Sequence, residues 1–196
     1  MKFMKYTIAA LLLVVLAAPR INAQDNGQTY KLKEDSKMMV YGTSTIHDWE
    51  VETSDLQGSV TINTNSDMQI TDASITVPVE KMESGKGGMD KKMYGALDKK
   101  KHPNITYKLT NASIDSMDTD AQTFKVNTTG DLTIAGTTRS IEMTLDGKKA
   151  ADGSYGFTGS KTINMTDYKV DPPSAVFGTI KSGEEVTIKF DLTFTK

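Results

Sequence analysis

The chain has 196 residues, with 23 basic and 25 acidic side chains, a net charge of −2, 37% hydrophobic residues and no cysteine. That length suits one domain, large enough to bury about two-thirds of its unfolded surface without a disulfide. Lys99, Lys100 and Lys101 form the one basic cluster, which excludes the electrostatic footprint needed for nucleic acid or for an anionic membrane surface.

The first residues, MKFMKYTIAALLLVVLAAPRINAQ, place Lys2 and Lys5 ahead of an apolar run from Tyr6 to Ala18, with a small residue at Ala23. This predicts a secretory signal peptide over residues 1–23, cut after Ala23, and a single domain over 24–196. The run is shorter than the roughly 20 residues that a membrane span requires, and nothing later reaches half its length, so no stable membrane insertion is expected. Loss of Lys2, Lys5 and Arg20 leaves 20 basic against 25 acidic residues, a charge of −5. With no cysteine in the chain, no lipoprotein anchor is expected.

Period-two alternation dominates the rest of the chain. It is weak at Trp49 and Val51, and at Leu56, Val60 and Ile62. It is clear at Ile75, Val77 and Val79, and at Ile105, Tyr107 and Leu109. It continues through Phe124, Val126, Leu132 and Ile134, through Ile141, Met143 and Leu145, and more loosely through Phe157, Ile163 and Met165. The last segment, EEVTIKFDLTFTK, sets Val186, Ile188, Phe190, Leu192 and Phe194 on one face against threonines and charges on the other. Short polar turns such as AGTT, DGKKAADGS and KSGE separate these runs, so the chain reads as all-β, an antiparallel barrel or sandwich. Pro78 cannot donate to a ladder and predicts an edge or a bulge. Pro172 and Pro173 mark an irregular loop in which Tyr168, Val176 and Phe177 are placed to dip into a barrel mouth.

One stretch breaks the pattern. In GGMDKKMYGALDKKKHP, Met89, Met93 and Leu97 recur four residues apart while Asp90, Lys91, Lys92, Asp98 and Lys99 face away, which predicts an amphipathic helix over about 87–101, stopped by Pro103. Two roles are open to it: a connector that completes the core, or a lid over a cavity, for which methionine suits an irregular apolar surface.

Chemistry is sparse. His47 and His102 are the two histidines, far apart in sequence and without metal-ligand spacing, and the chain has no nucleophile elbow, thiol or phosphate-cradling loop. No catalytic or metal-ligating residue is assigned. In His47-Asp48-Trp49, neighbours on a strand point to opposite faces, so Trp49 is expected in the core with His47 and Asp48 at a turn or rim. Lys161 shares the inward phase of Phe157 and Ile163, which is costly unless it is paired or near a mouth. It marks either a headgroup contact or a bulge. Thr128 and Gly130 between Val126 and Leu132, Gly159 after Phe157, and Gly58 between Leu56 and Val60 leave little inward volume. Such gaps are either a void for an apolar ligand or the glycine kinks that barrel corners need.

The succession STIHDWEV, LQGSVTI, ASITVPVEKMESGKGGMDKKMYGALDKKKHPNITYKL and TGDLTIAGTTRSIEMTL resembles the YceI-like family of exported bacterial proteins, in the branch carrying HDW and MDxxMYxAL, from about Tyr30 to Phe194. The resemblance implies a lipocalin-like antiparallel barrel of about eight strands, closed or flanked by the one helix. It also implies a periplasmic location and an elongated polyisoprenoid or similar amphiphile in the interior.

The expected function is therefore an exported, non-enzymatic binding protein that holds such a lipid for transport or storage, with no cofactor besides that ligand. Alternation places Trp49, Val126, Leu132, Ile134, Met143, Phe157, Ile163, Phe190 and Leu192 on the wall, and Met93, Tyr94 and Leu97 on the closing helix. Two other readings remain open: a filled barrel whose outside binds a protein or glycan, and a lipid-modifying enzyme using His47 or His102. Homodimerisation is also left open.

Overall fold

The computed structural model describes residues 27–65 and 67–196; the expected signal peptide lies outside them. The strands are β1 (Gln28–Leu32), β2 (Lys37–Ser44), β3 (Trp49–Thr53), β4 (Gln57–Asn63), β5 (Gln69–Pro78), β6 (Asn104–Asp118) and β7 (Thr123–Ile134). They continue with β8 (Thr137–Lys149), β9 (Tyr155–Asn164), β10 (Ser174–Ala175) and β11 (Ile180–Thr195). One α-helix, α1 (Gly87–Ala96), lies between β5 and β6, and short 3₁₀ turns cover Val79–Lys81 and Met165–Tyr168.

Every pairing between these strands is antiparallel, and eight of them close a ring in the order β1, β4, β5, β6, β7, β8, β9, β11 and back to β1. Closure removes the exposed edges that would otherwise template aggregation. The long strand β11 makes this possible by taking two partners along one edge. Its end pairs with β1 at Leu32 opposite Phe194, and its middle pairs with β2 from Lys37 opposite Asp191 to Gly42 opposite Val186. Ser36, 1% exposed, spans the break between β1 and β2: its hydroxyl accepts from the Thr193 N–H (3.0 Å), replacing a ladder bond that the turn interrupts. β3 then hangs on β2, and its outer edge meets the rest of the wall through a single bridge between Glu52 and Glu83.

The alternating apolar faces all turn inward, but they do not fill the barrel evenly. At the end away from α1, Tyr30 and Tyr155 pack edge to face (centroids 5.0 Å), as do Phe124 with Phe157 (5.7 Å) and Phe157 with Phe194 (5.8 Å). Val126 is wholly buried among this solid half. Of the two readings of the glycines, a void is not what they provide. A Cβ at Gly130 would collide with the Tyr107 ring, one at Gly159 would fall 2.8 Å from Phe190, and one at Gly58 would fall 2.7 Å from Ile75. Neighbouring side chains lie over the bare backbone and occupy the missing volume.

Two sequence expectations are corrected. The helix ends at Ala96, not near residue 101, because Asp98 adopts a left-handed conformation (φ 45°). The Lys99 N–H then bonds the Tyr94 carbonyl (3.0 Å) and the Asp98 N–H that of Gly95 (3.1 Å), a Schellman ending that satisfies the last turn before Pro103 is reached. Pro78 marks no bulge and β5 is a central strand, but the β4 ladder ends at Gln57 opposite Thr76, so Pro78 has a partner on one side only. It is the last residue of β5, paired with Asn104, where the chain turns into the short 3₁₀ segment.

Candidate functional site: an apolar cavity under the helix

The other half of the barrel is hollow. A cavity of about 400 Å³ opens beneath α1, and a second of about 140 Å³ adjoins it toward the aromatic end. Val40, Met82, Ile105, Ile134 and Ile188 line both, so the two meet at a common neck.

The helix forms one side of the wider cavity. Its N-terminus lacks a side-chain cap; instead the Asp90 carboxylate accepts from the Ser84 hydroxyl (2.6 Å) and the Ser84 N–H (2.9 Å), placing an acid in the first turn where the helix dipole favours it. Met89, Met93 and Leu97 lie against the cavity as their spacing predicts. None of the helix residues is fully buried, so α1 covers empty space more than it fills a core. Polar contacts among the described residues help hold it: the Ser84–Asp90 clasp, the Tyr94 hydroxyl on the Met82 carbonyl (2.8 Å) and at 3.2 Å on the Glu80 carbonyl, and the Lys92 ammonium on the Ser174 carbonyl (2.6 Å).

Trp49 lines the wide cavity from β3, its indole N–H donating to the Thr43 carbonyl (2.8 Å). His47 stands at the same rim, held by a ring-nitrogen contact to the Asp48 carbonyl (2.8 Å), while the Ser44 hydroxyl donates to the His47 carbonyl (2.6 Å). His102 touches neither cavity, and its ring lies against Gly136 in the β7–β8 turn. The two histidines therefore share no site. No group of three or more potential metal ligands converges among the described residues.

Of the twelve residues expected to line an interior, Trp49, Met93, Leu97 and Ile163 line the wide cavity. Leu132, Met143, Phe157, Phe190 and Leu192 line the narrow one, and Ile134 lines both. Two lie elsewhere. Val126 shares the inward face of β7 with Leu132 but sits at the solid end. Tyr94 turns its hydroxyl to backbone carbonyls, as an anchor of the helix and not as wall. Val176 and Phe177 do not dip into the mouth: they are 62% and 108% exposed. Tyr168, from the same region, does enter the wall and is 2% exposed. The neck residues Val40 and Ile188 escape the sequence reading as site residues, although Ile188 alternates inward in the clearest strand of the chain.

The narrow cavity has three polar lining residues among those described: Tyr107, Thr128 and Lys161. The Thr128 hydroxyl donates to the Met143 carbonyl (3.1 Å) and the Lys161 ammonium to the Glu142 carbonyl (2.9 Å). The Tyr107 hydroxyl is buried and makes no hydrogen bond among the described residues. Burial pushes its pKa above the ordinary tyrosine value, with the Thr128 hydroxyl opposing and Asp131 adding to the shift. Among the described residues no aspartate or glutamate lines either cavity, although acids outnumber bases in the chain.

A family model, the YceI-like domain, matches residues 30–194. The fold is similar to the crystal structure of Burkholderia cenocepacia BcnA, at 20% identity and a TM-score of 0.66 over 83% of this chain and 98% of that one. A structure from Saccharophagus degradans, described as a polyisoprenoid binding domain implicated in plant cell wall breakdown, aligns at 14% identity and a TM-score of 0.65, covering 85% of this chain and 97% of that one. The Campylobacter jejuni YceI protein aligns at 18% identity and a TM-score of 0.52 over 71% and 81%. No curated protein matches the sequence significantly.

Proposed function

Because the chain belongs to the YceI-like family and its barrel is hollow beneath the helix, we propose that it is a lipid carrier. It holds a linear polyisoprenoid or a similar amphiphile in the paired cavities, for transport or storage. The observation that carries this reading is that two apolar cavities lie end to end along the barrel and share Val40, Met82, Ile105, Ile134 and Ile188 as wall. A slender chain fits such a space where a compact ligand would not. Each methylene transferred from water contributes about 0.8 kcal/mol, so a long chain supplies ample affinity without many polar contacts. The similarity in fold to a structure described as a polyisoprenoid binding domain adds support.

Binding without turnover is the reading we favour. Among the described residues, His47 is the histidine on the wall; it is engaged by its neighbour's carbonyl, and no carboxylate stands beside it on the cavity surface to orient it as a base. We also propose export to the periplasm, on the strength of residues 1–23; cell fractionation with N-terminal sequencing tests it, expecting a mature chain beginning at Gln24.

Native mass spectrometry of the purified protein tests the carrier function directly. A bound mass released by organic solvent and identified as a prenyl or acyl lipid is expected. A clean protein mass, together with failure to take up any added long-chain lipid, overturns it.

A further inference from the structure

The barrel wall has a lateral slot. The β8–β9 ladder pairs only Asp146–Lys149 with Tyr155–Thr158, and from there toward the helix end the two strands separate. On either side the wall is intact: β7 remains paired to β8 through Ile134 opposite Thr137, and β9 to β11 through Asn164 opposite Glu185. The far end of the slot is closed where the Arg139 guanidinium on β8 donates to the Asp167 carbonyl (2.9 Å). Between these two ends, Lys161 projects from β9 on the inward face and reaches across to the Glu142 carbonyl on β8.

That lysine is a cation with donors to spare. Its side chain is half-buried and its hydrogen bond lies at the exposed slot, and one backbone acceptor leaves two of its three N–H donors open to a ligand, with no other partner among the described residues. It takes part in none of the ion pairs among those residues. Lys161 is also the cross-strand partner of Ile188, which pairs in turn with Val40, and both of those line the neck. The cation therefore lies at the level where the two cavities join.

A second polar group converges on the same stretch of β8. The Tyr107 ring lies over Gly130, whose register partner is Ile141, and Thr128 pairs with Met143. Glu142, which receives Lys161, stands between those two β8 residues. A buried hydroxyl without a hydrogen bond and a lysine with spare donors thus flank one short segment inside an otherwise apolar cavity. The buried, unpaired Tyr107 hydroxyl costs free energy that a ligand oxygen would recover, and the Lys161 ammonium supplies the charge that favours an anionic one.

We propose that Lys161 and Tyr107 form a head-group site at the β8–β9 slot, for the carboxylate or phosphate of a single-chain anionic amphiphile whose tail runs through the neck into the wide cavity under α1. The ligand then lies head inward, with its tail toward Trp49 and the helix. This assignment rests on the carrier reading and adds to it the charge and the direction of the ligand.

Trp49, the chain's single tryptophan, lies on the wide cavity and reports direction. Stearic acid carrying a nitroxide quencher either near the carboxylate or near the methyl end is added to the mature protein. Stronger quenching of Trp49 by the methyl-end label is expected. The reverse order, or equal quenching, overturns the inward head while leaving the carrier intact. Quenching by neither label, with no uptake of the unlabelled acid, overturns the head-group site, and the carrier falls with it only if an uncharged polyprenol is also refused. In parallel, Lys161→Met is expected to weaken binding of stearic acid about tenfold, the loss of one charge-assisted hydrogen bond, and to leave the corresponding fatty alcohol within about twofold. Lys161→Arg is expected to keep the preference for the acid. A Lys161→Met protein with a wild-type melting curve and an unchanged acid-to-alcohol ratio overturns the site.

Discussion

Gly42 and Trp49 face each other across β2 and β3, and the indole occupies the space that a Cβ on Gly42 would need. The one-atom side chain is what lets the largest residue of the chain fold back over its partner strand and still reach the Thr43 carbonyl with its N–H. Gly42→Ala is therefore expected to push the indole outward into the wide cavity, at a cost of about 1–3 kcal/mol from overpacking. A shift in tryptophan fluorescence together with a lower denaturation midpoint checks both parts of this.

Tyr94 is a strap on the helix. Its hydroxyl donates to the Met82 carbonyl (2.8 Å), with the Glu80 carbonyl as a second, longer acceptor (3.2 Å). Because α1 buries no residue fully, this bond is a large share of what holds it down. Tyr94→Phe is expected to remove about 1 kcal/mol from local closure and little from global stability. Amide exchange over Gly87–Ala96 then rises roughly fivefold while the closed-ring strands keep their protection. Uniform change across the chain would show that the helix is part of the cooperative core.

Much of this architecture is legible in alternation, because a closed barrel gives nearly every strand one wet and one dry face. What alternation cannot show is depth. Val126 and Leu132 share a strand and a face, yet one sits in the aromatic plug and the other beside the void; the difference depends on which rings from other strands arrive at that level. Pairing is equally invisible. β8 and β9 each look continuous, and their alternation does not announce that they separate before Asp146 on β8 and after Thr158 on β9. Lys161 is the one local signal of it, a charge in the inward phase of its strand. The helix stop fails for a different reason: Pro103 is a strong breaker, but an aspartate in a left-handed turn has already ended the helix five residues earlier.

The hairpin between β10 and β11 turns through Val176, Phe177 and Gly178, all at positive φ (49°, 52° and 85°). Gly178 adopts this without strain, whereas Val176 and Phe177 are held where L-residues with bulky side chains are disfavoured by about 1–2 kcal/mol each. Both side chains point to solvent and recover little by packing. Replacing them together, Val176→Asn with Phe177→Gly, supplies residues that accept the left-handed region and is expected to stabilise the protein by about 1–2 kcal/mol. A raised midpoint in urea checks it, and an unchanged or lower midpoint would mean that the exposed pair makes contacts that offset its strain.

Alkaline pH should unfold this barrel before it titrates it. Burial is the first cause that raises the pKa of Tyr107, Tyr155 and Tyr168 above the ordinary 10.0; Tyr30 adds to the shift at Tyr155 and Asp167 to that at Tyr168. The folded state thus holds these protons more tightly than the unfolded chain does. Their contribution is complete below about pH 10 and disappears as pH rises through the folded values. Unfolding free energies measured from about pH 9 to about pH 11 are expected to fall, with phenolate absorbance appearing in step with loss of β-structure. Phenolate formation by these three tyrosines ahead of unfolding would contradict it.

Ile188 is the residue on which the length of the ligand should depend. It lines both cavities and pairs with Lys161 on one side and Val40 on the other, so a larger side chain there projects into the neck instead of into packed core. Ile188→Trp is expected to cost no more than about 1 kcal/mol in stability, since the added ring enters empty space. The same ring separates the 400 Å³ space from the 140 Å³ one. Affinity for long-chain lipids should then fall about tenfold or more, while short chains that occupy only the wide cavity keep theirs. Equal retention of long and short chains by a folded Ile188→Trp protein would mean that ligands never pass the neck.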